Sequence, residues 1–147
     1  MGFAGGFHGE LTGRQNARFV ARVYGLDTET LESYVEEFAE LNDFLDMPVR
    51  TYSSGMKARL AFGVSLAAEF DCYLVDEITG VGDKRFRRKC HEAFEMKASS
   101  SQIIMVSHSE STLRSYCRSA LLLEEGEVTY FASLDDALQA YNQIMVA

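Results

Sequence analysis

The run CYLVDE ends on two adjacent acids, Asp76 and Glu77, and a later run, IIMVSH, ends on His108. A short, continuously apolar stretch is the pattern of a strand buried in a parallel sheet. Ligands in such sheets bind beyond the carboxyl ends of the strands, where all three residues fall. There Asp76 can hold Mg²⁺ directly or through water, since hard oxygen ligands suit that ion. Glu77 can orient or deprotonate an attacking water. His108, on the next strand end, can touch a terminal phosphate and hold the water against the glutamate. Each has a plainer explanation alone: a salt-bridged strand end for the acids, a satisfied loop histidine for His108. Two strand ends converging on Asp, Glu and His favour a phosphoryl-transfer site. The stretch SSGMK is the third piece. Ser53, Ser54 and Gly55 precede a helix, so amide N–H groups, hydroxyls and the helix dipole point one way and suit an anion. Plain helix capping by Ser53 or Ser54 is the bland alternative.

These residues need elements to hold them. Glycines at 2, 5, 6 and 9 forbid a regular element at the start, and Thr12 reads as a helix N-cap. From Asn16 the apolar residues Phe19, Val20, Val23 and Tyr24 recur at helical spacing until Gly25 stops them. Thr28 reads as the cap of a second helix with Leu31, Tyr34, Val35, Phe38 and Leu41 on one face. Glu32, Glu36, Glu37 and Glu40 form the other face, most simply a solvated surface. The lone proline, Pro48, separates this helical part from the remainder of the chain. A helix from about Gly55 to Ala68 then turns Met56, Leu60, Val64 and Ala67 to one side. CYLVDE and SQIIMVSH read as buried strands, with the amphipathic DKRFRRKCHEAFEMKA between them burying Phe86, Cys90 and Phe94. STLRSYCR is helical, SALLLEEGEVTYF reads as two strands turning near Gly126, and Ser133 with Asp136 starts a last helix. The order strand, helix, strand, helix, then hairpin predicts an α/β unit with parallel strands.

Composition narrows the partners. A formal charge of −8 over 147 residues argues against nucleic acid bound through a broad basic face. No run approaches the ~18 apolar residues of a spanning helix. The start, MGFAGGFHGELTG, lacks the build of a signal peptide and matches a myristoylation pattern only loosely. The chain reads as cytoplasmic. Cys72, Cys90 and Cys117 are widely spaced, which predicts free thiols, with Cys72 and Cys117 as small core residues. Cys90 beside His91 is weak ground for a metal site.

Taken together, YSSGMKARLAFGVSLA resembles the signature motif of ABC-type ATPases, with SSGMK where LSGGQ is usual. CYLVDE resembles their Walker B strand, GVGD their D-loop and IIMVSH their switch-histidine strand, all in the family's order and spacing. The match covers essentially the whole chain. GGFHGELTGRQNARFVARVYG, SSGMKARLAFG and DEITGVGDKRFRRKC are further similar to ATPase subunits of bacterial capsular and surface polysaccharide exporters. The resemblance implies a P-loop NTPase-like α/β fold, a parallel-sheet core with an α-helical subdomain. Residues 1–50 would hold the Q-loop region and helical subdomain, and residues 51–147 the signature helix, Walker B, D-loop, switch histidine and C-terminal hairpin and helix. Asp76 would act at Mg²⁺, Glu77 as catalytic base and His108 as γ-phosphate sensor. Ser53, Ser54 and Gly55 would close over an ATP held mainly by a second subunit. Asp83 would couple the two sites of a head-to-tail homodimer. His8 would stand where the Q-loop glutamine is usual. The implied partners are an integral membrane permease and a second ATPase subunit, on the inner face of the bacterial inner membrane.

One part of the family's machinery is missing from these residues. Its GxxxxGK[ST] loop, whose amides and lysine hold the phosphates, occurs nowhere in the chain. The expectation is therefore a C-terminal portion of such an ATPase, with the N-terminal nucleotide-binding strands upstream of Met1. Positioning and charge stabilisation dominate phosphoryl-transfer catalysis, so this chain alone is expected to hydrolyse ATP poorly or not at all. The alternative is a non-catalytic remnant or regulatory module offering its signature face to a partner. A DNA-repair or chromosome-associated ABC ATPase is a weaker third reading, disfavoured by the absence of a long coiled coil.

Overall fold

The computed structural model describes residues 6–76 and 83–146. Glu77 and residues 80–82 of the D-loop therefore lie outside the described residues, as do Gly2 and Gly5. The chain divides into two compact units, residues 1–73 with 78–102, and residues 74–77 with 103–147.

The first unit is built on helices. Helix α1, Gly13–Val23, begins directly after the expected Thr12 N-cap, where a full capping box forms. Thr12 Oγ1 accepts from the Gln15 amide at 3.1 Å, and Gln15 Oε1 accepts from the Thr12 amide at 2.9 Å. Its buried stripe is Asn16, Ala17, Val20 and Ala21. Of the large apolar residues at helical spacing only Val20 goes inside; Phe19 and Val23 stay exposed. Small residues on the inner stripe let neighbouring helices come close, which pushes the larger ones outward. Gly25, at φ 66°, ends the helix while the Leu26 amide donates to Ala21 O at 2.8 Å, the usual glycine stop.

Helix α2, Thr28–Ala39, is capped by Asp27 rather than Thr28; the Asp27 carboxylate accepts from the Thr30 amide at 2.7 Å. Leu31, Val35, Phe38 and Ala39 are buried and Tyr34 half-buried. The opposite acidic face is not simply solvated. Arg14 lies 2.6 Å from Glu32, 2.9 Å from Glu36 and 2.7 Å from Asp46. Glu40 receives Lys89 at 3.0 Å. Two 3₁₀ turns, Asn42–Asp46 and Val49–Thr51, carry the chain past Pro48. Helix α3, Ser54–Ala67, then buries Leu60, Val64 and Leu66. A Cβ on its Gly63 would stand 3.6 Å from the Val35 Cα, an ordinary van der Waals contact across the α2–α3 crossing. Helix α4, Lys84–Ser100, buries Phe86, Cys90, Ala93 and Phe94, as its amphipathic pattern predicts.

Strand β1, Cys72–Asp76, pairs with β2, Gln102–Val106, in a two-stranded parallel sheet. The continuous apolar runs predict burial on both faces, and here the structure differs. Tyr73 and Val75 are buried, while Leu74, Ile104 and Val106 are 69%, 58% and 61% exposed. Side chains alternate across a pleated strand, and only one face of this sheet is covered by described residues. Helix α5, Glu110–Tyr116, is capped by Ser109. Strands β3, Ala120–Glu124, and β4, Glu127–Phe131, form an antiparallel hairpin with Leu122 opposite Thr129. Glu125 and Gly126, both at positive φ (47° and 87°), make its two-residue turn. Helix α6, Leu134–Val146, buries Leu134, Ala137 and Leu138. Ser133 Oγ accepts from the Asp136 amide at 3.4 Å, as the Ser133 start predicts.

The cysteines are free, but Cys72 is exposed and Cys117 only partly covered, contrary to a core role for both. The pleat explains Cys72, which alternates with the buried Tyr73. Cys90 is the buried one, and desolvation pushes its thiol up to about 11. Among the described residues no three metal-binding side chains cluster, and no helix is long and apolar enough to cross a membrane.

Candidate functional site

The residues expected to act at a phosphate fall in both units. In the second, Asp76 is the last residue of β1 and His108 follows β2 by two positions, immediately before the α5 cap. The two strands are neighbours in one sheet, so their carboxyl ends, with Asp76 and His108, lie side by side in the strand order. Both residues are exposed. Glu77 lies outside the described residues.

In the first unit, the N-terminus of α3 has the chemistry of an anion site. Ser53 is the N-cap, its hydroxyl accepting from the Met56 amide at 3.2 Å, and its carbonyl takes the Lys57 amide at 3.0 Å. The first amides of a helix have no intrahelical acceptor, so those of Ser54 and Gly55 are the ones left for an incoming anion. A Cβ built on Gly55 would meet only Ser53 Oγ, at 3.9 Å, so the backbone there is open to close approach. These donors suit a phosphate oxygen, and Asp76 is a hard oxygen donor of the kind Mg²⁺ takes. Capping and anion binding are therefore not rivals here: Ser53 caps while its neighbours remain available.

His8 is exposed, and its backbone is fixed from beneath by Asn16. Asn16, 2% exposed, accepts from the His8 amide at 2.8 Å and donates to His8 O at 3.1 Å and Thr12 O at 2.9 Å. Its signal was present: a lone amide on a stripe otherwise of Ala17, Val20 and Ala21 must find hydrogen bonds inside. The loop is also tied to the segment after Pro48, where the Val49 and Arg50 amides donate to Leu11 O and Gly9 O, both at 2.9 Å.

Asp83 is the N-cap of α4. Its Oδ1 accepts from the Arg85 and Phe86 amides, both at 2.9 Å, and its Oδ2 accepts from Arg59 Nη2 at 2.9 Å. These bonds, that to the Phe86 amide first, hold its carboxyl below the usual carboxylate range. Arg59, on α3, was missed from sequence. Nothing in its spacing distinguishes it from other arginines on a helix flank.

The partial P-loop NTPase-like fold, shared with a solved ABC ATP-binding subunit, is that of an ABC-type ATP-binding protein. The chain belongs to the capsule and polysaccharide export ATP-binding proteins of that class. It is 50% identical to the capsule polysaccharide export ATP-binding protein CtrD of Neisseria meningitidis serogroup B, over 98% of this chain and 67% of the relative. It is 51% identical to the ATP-binding protein BexA of Haemophilus influenzae, over 97% of this chain and 66% of that one. It is 49% identical to the polysialic acid transport ATP-binding protein KpsT of Escherichia coli, over 97% and 67%. The chain thus spans about two thirds of the length of these relatives. A solved ATP-binding subunit of an ABC transporter superposes with a TM-score of 0.74 at 26% identity, over 92% of this chain and 58% of that one. No family model matches the chain.

Proposed function

We propose that this chain carries the signature and hydrolytic segments of an ATPase that drives capsular or surface polysaccharide through a membrane permease. The observation that carries the reading is the near-50% identity to capsule export ATP-binding proteins across almost the entire chain. The geometry at the strand ends and at the start of α3 agrees with it. In this reading Asp76 would hold the Mg²⁺ that accompanies ATP, and Glu77 would take the proton of the attacking water. His108 holds that water and senses the γ-phosphate. The Ser54 and Gly55 amides, framed by Ser53, meet the phosphates of an ATP bound mainly by a second subunit in a head-to-tail dimer. His8 sits in the Q-loop region facing the permease, on the cytoplasmic side of the inner membrane, and residues 16–45 belong to the helical subdomain that docks there. ATP with Mg²⁺ would supply the phosphoanhydride bond that is hydrolysed, while Glu77 and His108 would orient the water and take its proton.

The test is a chimera in which this chain replaces the matching two thirds of the meningococcal relative, expressed in cells lacking that relative. Surface capsule is expected to return, and Glu77→Gln is expected to abolish both capsule and ATP turnover. A chimera that hydrolyses ATP without restoring capsule overturns the polysaccharide-coupling role. The 147-residue chain alone is expected to show background turnover, because it holds no GxxxxGK[ST] loop. Glu77-dependent turnover by the chain alone overturns that expectation.

A further inference from the structure

Arg59 joins three helices at once. Its Nη2 donates to Asp83 Oδ2 at 2.9 Å, its Nη1 donates to Ala39 O at 3.3 Å and lies 3.5 Å from Glu40 Oε2. The guanidinium carbon stands 4.2 Å from the centre of the Phe86 ring. Arg59 is thus bonded to the C-terminal end of α2, to the capping residue of α4, and to an aromatic ring on α4's first turn, from a place one turn into α3. Only 17% of its side chain is exposed. A planar fork with five donors can make these contacts together; a lysine, with one compact charge, cannot.

The surrounding charges show what depends on Arg59 and what does not. Glu40 is also bound by Lys89 at 3.0 Å and by Arg85, so it keeps two cations if Arg59 is removed. Asp83 has one oxygen on the two α4 amides and the other on Arg59. Each carboxylate oxygen thus has a partner within the chain, while the side chain stays 62% exposed.

We propose that Arg59 is a positioning residue that fastens the D-loop end at Asp83 to the signature helix, so that the two are presented to the partner subunit as one piece. Asp83 acts through this fastening and through its cap. The inference rests on the dimeric ATPase reading above. It adds that, within the subunit, Arg59 links the start of α4 directly to the helix that follows residues 53–55.

The test uses the chimera and measures ATP turnover against ATP concentration. Arg59→Met is expected to lower kcat on the order of tenfold with little change in KM, because a small misplacement of a positioned group costs rate. Arg59→Lys is expected to recover only part of it. Asp83→Asn keeps a good N-cap but weakens the ion pair, and is expected to lower kcat similarly. The double variant is expected to be no slower than the worse single one, since coupled residues are non-additive. Each variant's melting temperature separates unfolding from misplacement. Additive losses, or losses of kcat that simply track the folded fraction, overturn the proposal. Failure of the export reading would appear differently: the unmutated chimera would turn over ATP and leave capsule absent, while the Arg59 series would still report on the fastening.

Discussion

Gly13, the first residue of α1, sits where a side chain has no room. A Cβ there would lie 2.4 Å from Tyr52 Oη, 3.0 Å from Leu45 Cδ1 and 3.2 Å from Leu45 O. Tyr52 cannot easily yield, since its ring is buried and its hydroxyl donates to Phe44 O at 2.5 Å. Alanine normally favours a helix over glycine by about 1 kcal/mol, but overpacking typically costs about 1–3 kcal/mol. Gly13→Ala is therefore expected to lower stability by about 1–2 kcal/mol in urea unfolding. A higher midpoint would mean that the Tyr52 bond to Phe44 is dispensable. The same contrast governs what a reader of the sequence can see. Ser53 and Thr12 announce their caps locally, whereas the meaning of Gly13 depends on Tyr52, far away in the chain.

The elements of the helical unit are joined by a belt of ion pairs that makes their stability depend on pH. The hydrogen bond from Arg18 holds Glu32 below the usual carboxylate range, Arg14 does the same for Glu36 and Asp46, and Lys89 for Glu40. Carboxyls with depressed native pKa values contribute stability above their unfolded values, 4.5 for Glu and 3.8 for Asp. That contribution is lost as pH falls through the native values. The melting temperature of the helical unit is thus expected to hold from neutral pH down to about 4.5 and to fall steeply below it. Arg14→Met, which removes the common partner of Glu32, Glu36 and Asp46, is expected to lower the melting point at neutral pH. It is also expected to flatten the acid limb, and an unchanged limb would place the acid sensitivity elsewhere. Amphipathic spacing located these helices, yet it could not pair Arg14 with Asp46. The period of a helix tells which face is polar, not which polar face meets it.

At the scale of the molecule the two units differ in how much they bury. The first has a contiguous core that includes Ala17, Val35, Leu45, Leu60 and Val64. In the second, burial is concentrated in Val75, Leu134, Ala137 and Leu138, while Leu121, Leu123, Val128 and Tyr130 form an exposed apolar face of the hairpin. Opening free energy follows local burial. Backbone amides of residues 60–64 are expected to exchange hydrogen at least about tenfold more slowly than those of β2 and β3. The reverse order in mass-resolved exchange would show that β2 and β3 resist opening through something other than burial.

Residue types and their order were enough to establish the class of this protein. The signature turn, the Asp-Glu strand end and the switch histidine are short motifs whose chemistry depends on near neighbours, and helical or strand period follows from local backbone geometry. The alternation of helices and strands after Pro48 likewise indicated a parallel sheet, because such strands need a crossover between them. Tertiary structure alone decided which apolar residues go inside. Leu74, Ile104 and Val106 read as buried strand residues and stand exposed, because burial is set by what covers a face and not by the residue itself. It alone also decided that Asn16 pins the His8 loop and that Arg59 holds Asp83, since each joins residues that sequence separates and only packing brings within hydrogen-bond reach.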